Sequence, residues 1–546
     1  MTEKWVYEPG KDGEWREYKL RVAIGFPDVR EVGMSNLGFL WVYHLINRLE
    51  EVRCDRFFAA NRQLKGRERL TTVETGRSLS DYDVVAFSLP YEGGYPALPR
   101  ILADGGIEPI AEKRNGAPFV IAGGMAASAN PEPIADFLDA VVIGEAEPII
   151  FPLIKAIQGV RRMTGRFNAA EMTKEAIRDI PGIYIPSDFE VVYGKDGTVA
   201  SITRINKGPA VIEAVHAIKL DEPARSPVIT DESAFPGSFL IEAARGCPFR
   251  CRFCLAGHAG GKFRPAAMLD EAINEGLRVT NRVGIIGTAF TKAVRLEETC
   301  RRIAARGASV SFSSVRLDED TLQLFRNTGD ALDLESISVA PEVASPKLAA
   351  VIGKDIASEL DAFVKIKPLR GIKKLRLYFL IGVPGETDAD VEAIADKVRE
   401  IRDYSNWEVM ASVTPMTPKP FTPMQWAGFA GKKVLERRKR LIEERLSGVR
   451  GVILKVESLR RTFEQATLSR GDRRMGATLH EAAMRGQAAM TWPAILKRNG
   501  VDPEFIATRA RGEEEIFPWD MLSHGVSKET LYREYLKAMS FTDEKG

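Results

Sequence analysis

The chain of 546 residues is poor in the two side chains that most often hold metals, with five cysteines and five histidines. So few cysteines exclude a disulfide scaffold, and so few histidines exclude a site that needs many imidazoles. An excess of one charge is also missing. Lys and Arg number 77 against 75 Asp and Glu, so nothing global points to nucleic acid or an acidic membrane, although local basic patches stay open. No run approaches the roughly 18 apolar residues of a membrane span, and none is expected. The opening MTEKWVYEPGKDGEW is charged and has no apolar core, which argues against a secretory signal. The expectation is a cytoplasmic enzyme in a reducing compartment, where clustered cysteines bind metal more readily than they pair.

At roughly 100–200 residues per domain, the length calls for three or four units. In residues 1–160, RVAIGFP (21–27), DVVAFSLP (83–90), PFVIAGGM (118–125) and DAVVIGE (139–145) have the continuous apolar pattern of buried strands. NLGFLWVYHLINRLE (36–50) sets Leu37, Leu40, Trp41 and His44/Leu45 on one helical face, and further helices are expected near 96–104, at Asn130-Pro131-Glu132-Pro133 and from EAEPIIFPLIKAIQ. This alternation predicts an α/β, Rossmann-like doubly wound parallel sheet. Glycines and polar residues gather just after the strands, at Ser88, Gly123-Gly124 and Gly144-Glu145, the edge where open α/β sheets bind ligands. Residues 161–235 break the rhythm, and FEVVYGKDGTVASITRI (189–205) predicts a hairpin in a linking segment. Residues 236–430 hold six strand patterns separated by helical periods, which predicts a partial TIM-like (β/α)6 barrel with its site at the C-terminal strand ends. Residues 431–546 add the short strand GVILKVES and then mainly helical, charged sequence.

The strongest chemical signal follows the first barrel strand. Arg245-Gly246-Cys247-Pro248-Phe249-Arg250-Cys251-Arg252-Phe253-Cys254 puts three of the five cysteines within eight residues. Three buried thiols are one reading, and a zinc site completed by His258 is another. An iron–sulfur cluster with three thiolate-bound irons and one open iron is the third, and the one preferred here.

This CxxxCxxC loop, with Phe253 before its last cysteine, resembles the radical S-adenosylmethionine (SAM) superfamily. The resemblance implies a [4Fe–4S] cluster on Cys247, Cys251 and Cys254. It also implies one-electron cleavage of SAM to methionine and a 5′-deoxyadenosyl radical, with the electron coming from a reductant such as flavodoxin or ferredoxin. The SAM contacts it implies are Phe253, Gly287, Thr288, Ser313, Glu342 of Ala340-Pro341-Glu342, Arg376, and Ile381-Gly382 at the start of Ile381-Gly382-Val383-Pro384-Gly385-Glu386-Thr387, which is similar to a GxPGET segment. The second strand departs from the family: it reads Gly287-Thr288-Ala289 where Gly-Gly-Glu is usual. Gly382, Pro384 and Gly385 also suit a tight strand-to-helix turn with Thr387 as N-cap.

A Rossmann-like domain ahead of such a barrel resembles the cobalamin-dependent class. That implies cobalamin contacts at Asn36, Leu37, Ser88, Gly123, Gly124, Gly144 and Glu145, and methyl transfer to an unknown substrate. The Asp-x-His-x-x-Gly cobalt-ligand motif is absent, which leaves open a degenerate domain that serves rearrangement, cyclisation or thiolation. Phrases such as GMAASANPEPIADFLDAVVIGEAE, TPKPFTPMQW (417–426), LSRGDRRMG (468–476) and PWDMLSHGVSKETLYREY (518–535) resemble an uncharacterised radical SAM family often fused to a C-terminal domain of unknown function, a domain not expected here. Cys54 and Cys300 read as packed small hydrophobes. Residues 436–444 read as a salt-bridged helix face, with an RNA-associated, non-enzymatic module as the outlying alternative. Arg470, Asp472, Arg473 and Arg474 could line a substrate entrance or pair with the barrel. His216, His480 and His524 have no sequence partners that define a site.

Overall fold

The computed structural model describes residues 3–9, 18–59, 69–114, 118–164, 170–287, 296–313, 315–316, 319–328, 336–355, 373–405, 407–485 and 492–542. The first sheet is built from β1 (Leu20–Phe26), β2 (Val52–Phe58), β3 (Val84–Ser88), β4 (Phe119–Gly123) and β5 (Ala140–Val142), all parallel, in the order β2-β1-β3-β4-β5. A short antiparallel strand, β6 (Ile183–Tyr184), extends the β5 edge. Strand β2 was not among the expected ones, because VRCDRFF carries Arg53, Asp55 and Arg56 within an apolar run. Two of those charges are paired and buried: Asp55 takes Arg53 at 2.9 Å, and Arg56 takes Glu74 at 2.6 Å and Glu3 at 2.7 Å.

This sheet is covered on both faces, as a parallel sheet needs to be. Val22, Ile24, Val84 and Ile121 pack under helices α1 (Leu37–Asn47) and α2 (Glu147–Thr164). Ala23, Val85, Phe87 and Val120 pack against Leu98, Ile101 and Leu102, and also against Leu468, Met475, Leu479 and Trp519 from the far end of the chain. The C-terminal region is therefore part of the first sheet's core. Polar clamps hold it there. Asn130 Nδ2 donates to the carbonyls of Ser469 (3.1 Å) and Gly471 (2.8 Å), and Arg473 pairs with Glu132 at 2.9 Å. Buried Arg470 donates to the carbonyls of Ile506, Gln425, Ala427 and Arg509. The arginines of LSRGDRRMG thus act as clamps. Strands β7 (Phe189–Tyr193) and β8 (Val199–Arg204) form an antiparallel hairpin in the connecting segment.

The second α/β unit is singly wound. Strands β9 (Phe239–Glu242), β10 (Arg282–Ile286) and β11 (Ser309–Phe312) form one parallel sheet in chain order. β12 (Ser336–Glu342), β13 (Lys374–Ile381), β14 (Glu408–Pro415) and β15 (Val452–Val456) form another, and a bridge between Val315 and Val339 connects the two. β15 is the short strand expected outside the barrel; it pairs with β14, so the described strands number seven rather than six. Alternation is clean in β13. Leu375, Leu377, Phe379 and Ile381 are buried with Val391, Ile394 and Val398 of α3 (Asp388–Ser405), while Arg376 and Tyr378 face the other way and are exposed. Helix α4 (Lys432–Leu446) is laced by ion pairs, including Arg437–Asp388 at 2.9 Å and Arg438–Glu386 at 2.6 Å, so its basic run is a paired face. Among the described residues no helix is long and apolar enough to cross a membrane.

Candidate active site

The strand order of the first sheet reverses between β1 and β3, and a crevice opens outside the C-terminal strand ends there. It is a cavity of about 400 Å³, within the usual range for cofactor sites. Asn36, Leu37, Ser88, Gly123, Gly124, Gly144 and Glu145 all line it, so the structure brings together the seven residues for which the resemblance implied cobalamin contact. Two of the glycines are required by the backbone. Gly144 has φ 108°, and a Cβ there would lie 2.2 Å from the Val215 carbonyl oxygen. Gly124 also has φ 108°, with a Cβ 2.7 Å from the Leu89 backbone. Gly123 differs: a Cβ would meet Val142 at 3.5 Å, an ordinary contact, so its smallness keeps the cavity open. Asn36 caps α1, its Oδ1 accepting from Phe39 N at 2.9 Å.

A second cavity of about 260 Å³ adjoins the first and shares Met125, Gly144, Glu145, Glu242, Arg245 and Ile286 with it. It reaches Gly246, Ala256, Ala259 and Gly260 of the cysteine loop, and Gly287 after β10. The stems of that loop pair, with Ala244–Arg245 lying antiparallel to Arg264–Pro265. Arg245 is the hub of the junction. It donates to Glu147 at 2.7 and 2.9 Å, to Glu242 at 2.7 and 2.9 Å and to Glu145 at 3.2 Å. Arg264 also binds Glu145, at 2.5 Å. Although burial opposes ionisation, His216, Arg264 and Arg245 hold the Glu145 carboxyl down at about 2.

The three cysteines are half-buried. Burial pushes Cys251 up to about 11 against the pull of Lys354, and burial also raises Cys254, whose sulfur faces the amides of Ala256 and Gly257. The loop is pinned from outside by Arg252, which donates to the Ala350 carbonyl at 2.6 Å and pairs with Glu534 at 3.1 Å. His258 Nε2 hydrogen-bonds the Cys251 carbonyl at 3.2 Å, and its buried Nδ1 has no hydrogen-bond partner. Among the described residues no group of three or more Cys, His, Asp or Glu is disposed to hold a single metal ion. Three half-buried thiols on one eight-residue loop, with Lys354 and Arg316 acting on Cys251, suit a cluster, whose thiolates sit on different irons.

Glu342 has φ 72°, an uncommon conformation for a non-glycine residue, at the end of β12 where the register slips. It stands 3.8 Å from Lys354. Phe253 packs against the barrel core, and Ser313 N bonds the Ile285 carbonyl at 3.2 Å. Gly382 has φ 81°, and its N–H donates to Glu386 Oε2 at 2.7 Å; Ile381 before it is buried. Thr387 and Asp390 cap α3 reciprocally, as expected for this turn. Burial lifts Glu386 to about 7 against the pull of Arg438. Arg376 is not brought to the strand ends: it lies beside Ser338 and Met410, roughly 16 Å along β13 from Ile381. Thr288 lies outside the described residues. Sequence reasoning gave no role to Lys354, Glu242 and Arg264, named His216 and His524 without partners, and had Glu147 only within longer phrases such as GMAASANPEPIADFLDAVVIGEAE.

Residues 38–186 match the family described as Radical SAM proteins, N-terminal, and residues 241–398 match the Radical SAM superfamily. The chain belongs to the radical SAM superfamily. The superfamily implies an enzyme that uses a [4Fe–4S] cluster and SAM. An uncharacterised protein of Methanocaldococcus jannaschii is 27% identical over 84% of this chain and 90% of its own length. The anaerobic magnesium-protoporphyrin IX monomethyl ester cyclase of Cereibacter sphaeroides is 24% identical over 53% of this chain and 44% of its own. The ribosomal protein uS12 methylthiotransferase of Roseobacter denitrificans is 23% identical over 39% and 51%. An uncharacterised methyltransferase of Pyrococcus horikoshii matches at 24% identity. The chain spans about half the length of the cyclase and the methylthiotransferase.

Proposed function

We propose that the protein is a corrinoid-dependent radical SAM methyltransferase, with Cys247, Cys251 and Cys254 as cluster ligands. The observation that carries this reading is the adjacency of the two cavities. A glycine-floored, mostly apolar crevice at the switch point of the first sheet opens into the chamber beside the cysteine loop. A [4Fe–4S] cluster bound there supplies the electron that cleaves SAM, and a corrinoid in the crevice supplies the methyl group. The chain's own residues hold and shield these groups. Gly123, Gly124 and Gly144 let a flat ligand approach the strand ends, Glu342 and Lys354 offer opposite charges beside Cys251, and Arg245 ties the loop to the crevice floor. A flavodoxin- or ferredoxin-type reductant is the proposed electron source, and the substrate is a small molecule or macromolecular group that reaches the chamber.

The second reading keeps the cluster and leaves the crevice without corrinoid. It is favoured by the missing Asp-x-His-x-x-Gly motif and by relatives named as a cyclase and methylthiotransferases. Anaerobically reconstituted protein given SAM and dithionite should release 5′-deoxyadenosine, and a Cys251→Ala variant should not. Protein purified with excess hydroxocobalamin should retain cobalt. Cleavage without cobalt would select the second reading, and no cleavage in wild type would overturn both.

A further inference from the structure

The chamber between the crevice and the cysteine loop is lined by two histidines that come from distant parts of the chain, His216 and His524. Their rings lie 6.4 Å apart, centre to centre. Each has one nitrogen committed and one buried nitrogen with no hydrogen-bond partner. His216 Nδ1 stands 3.3 Å from Glu145 Oε1; a carboxylate only accepts, so Nδ1 carries the proton, and in the neutral ring Nε2 is left as an acceptor. His524 Nε2 lies 2.9 Å from the Ser128 carbonyl, so it donates, and in the neutral ring Nδ1 is left as an acceptor. Burial drives His524 down to about 4, which keeps that ring neutral, although the Ser128 and Ala259 carbonyls pull the other way. Leaving two buried acceptors unused costs free energy unless a ligand meets them. The charges at the junction are Glu145, Glu147 and Glu242 against Arg245 and Arg264, an excess of one negative charge. An anionic ligand is disfavoured there.

We propose that His216 and His524 form the recognition site for the reacting end of the substrate, and that this end is a hydrogen-bond donor without negative charge, an amine or a hydroxyl. This deepens the proposed function and rests on it only for calling the ligand a substrate; the site itself is tested without cluster or turnover. The whole protein is labelled with ¹⁵N- and ¹³C-histidine and its five histidines are assigned with His216→Gln and His524→Gln variants. At neutral pH the expected spectra show opposite tautomers, protonated at Nδ1 in His216 and at Nε2 in His524. Ethanolammonium, titrated to about 0.1 M because so small a probe binds weakly, should shift both signals saturably and leave His44 and His480 in place, while sodium propionate should shift neither. The same tautomer in both rings, a response to propionate, or no response to ethanolammonium would overturn the proposal. A protein that fails to cleave SAM but passes this titration would sink the proposed function alone.

Discussion

The two sheets show opposite ways of making a site. β1 is buried along nearly its whole length on both faces, so the only space for a ligand is the strand-end edge, and backbone and glycine shape it. β13 alternates buried and exposed residues, so its free face carries side chains such as Arg376 and Tyr378. The crevice depends on the absence of side chains, and the cysteine-loop site on side chains at strand and helix ends such as Glu342 and Lys354, not on that free face. Arg245 and Glu145 stand where the two meet.

Substitutions should break that contrast in a graded order. Arg245→Ala leaves three carboxylates without their shared cation and should cost about 3 kcal/mol in urea unfolding, short of the upper range for buried pairs because some water reaches the site. Gly144→Ala, forced to φ 108° against the Val215 backbone, should cost a similar ~2–3 kcal/mol. Gly123→Ala should cost less than about 0.5 kcal/mol yet weaken corrinoid retention, because its Cβ makes an ordinary contact with Val142 and otherwise enters the cavity. Equal losses for the two glycines would erase the distinction between a backbone-shaped and a ligand-shaped position.

The chamber adds a pH signature. His524 has its folded pKa lowered from 6.5 to about 4, so between those values the unfolded chain binds more protons. Stability is then present above the upper value and declines as pH falls through the window, by up to about 1.4 kcal/mol per pH unit. His524→Gln should flatten that decline in denaturant midpoints measured across the window; an unchanged slope would show that the ring is not held neutral. The smallest effect is expected on the open face. Arg376→Ala should change stability by no more than about 0.5 kcal/mol and leave SAM cleavage near wild type, while Glu342→Gln should reduce cleavage clearly.

Local patterns were legible where function uses local sequence. The spacing of Cys247, Cys251 and Cys254 and the glycines after β4 and β5 marked both cavities, because each motif closes within one loop. The continuous apolar strands marked the first sheet, but β2 was hidden by Arg53, Asp55 and Arg56, whose charges are cancelled by partners elsewhere in the fold. The chamber was not legible at all. His216 and His524 meet only because the C-terminal region packs into the first sheet's core, and no periodicity records that. The same packing explains LSRGDRRMG: Arg470 satisfies backbone carbonyls from two segments, 425–427 and 506–509, a role with no sequence signature. Arg376 shows the reverse: its strand was plain, while its depth along the strand, beside Ser338 and Met410 rather than at the strand end, was not.

The central claim is that one chain holds a cluster on the cysteine loop and a corrinoid in the adjoining crevice. Iron, sulfide and cobalt counted in the same anaerobically reconstituted sample test it most directly. The account predicts cluster and cobalt together in wild type, with Cys251→Ala losing the cluster while keeping cobalt. A wild-type sample lacking either the iron–sulfur cluster or cobalt, or a Cys251→Ala sample that retains a full cluster, would contradict it.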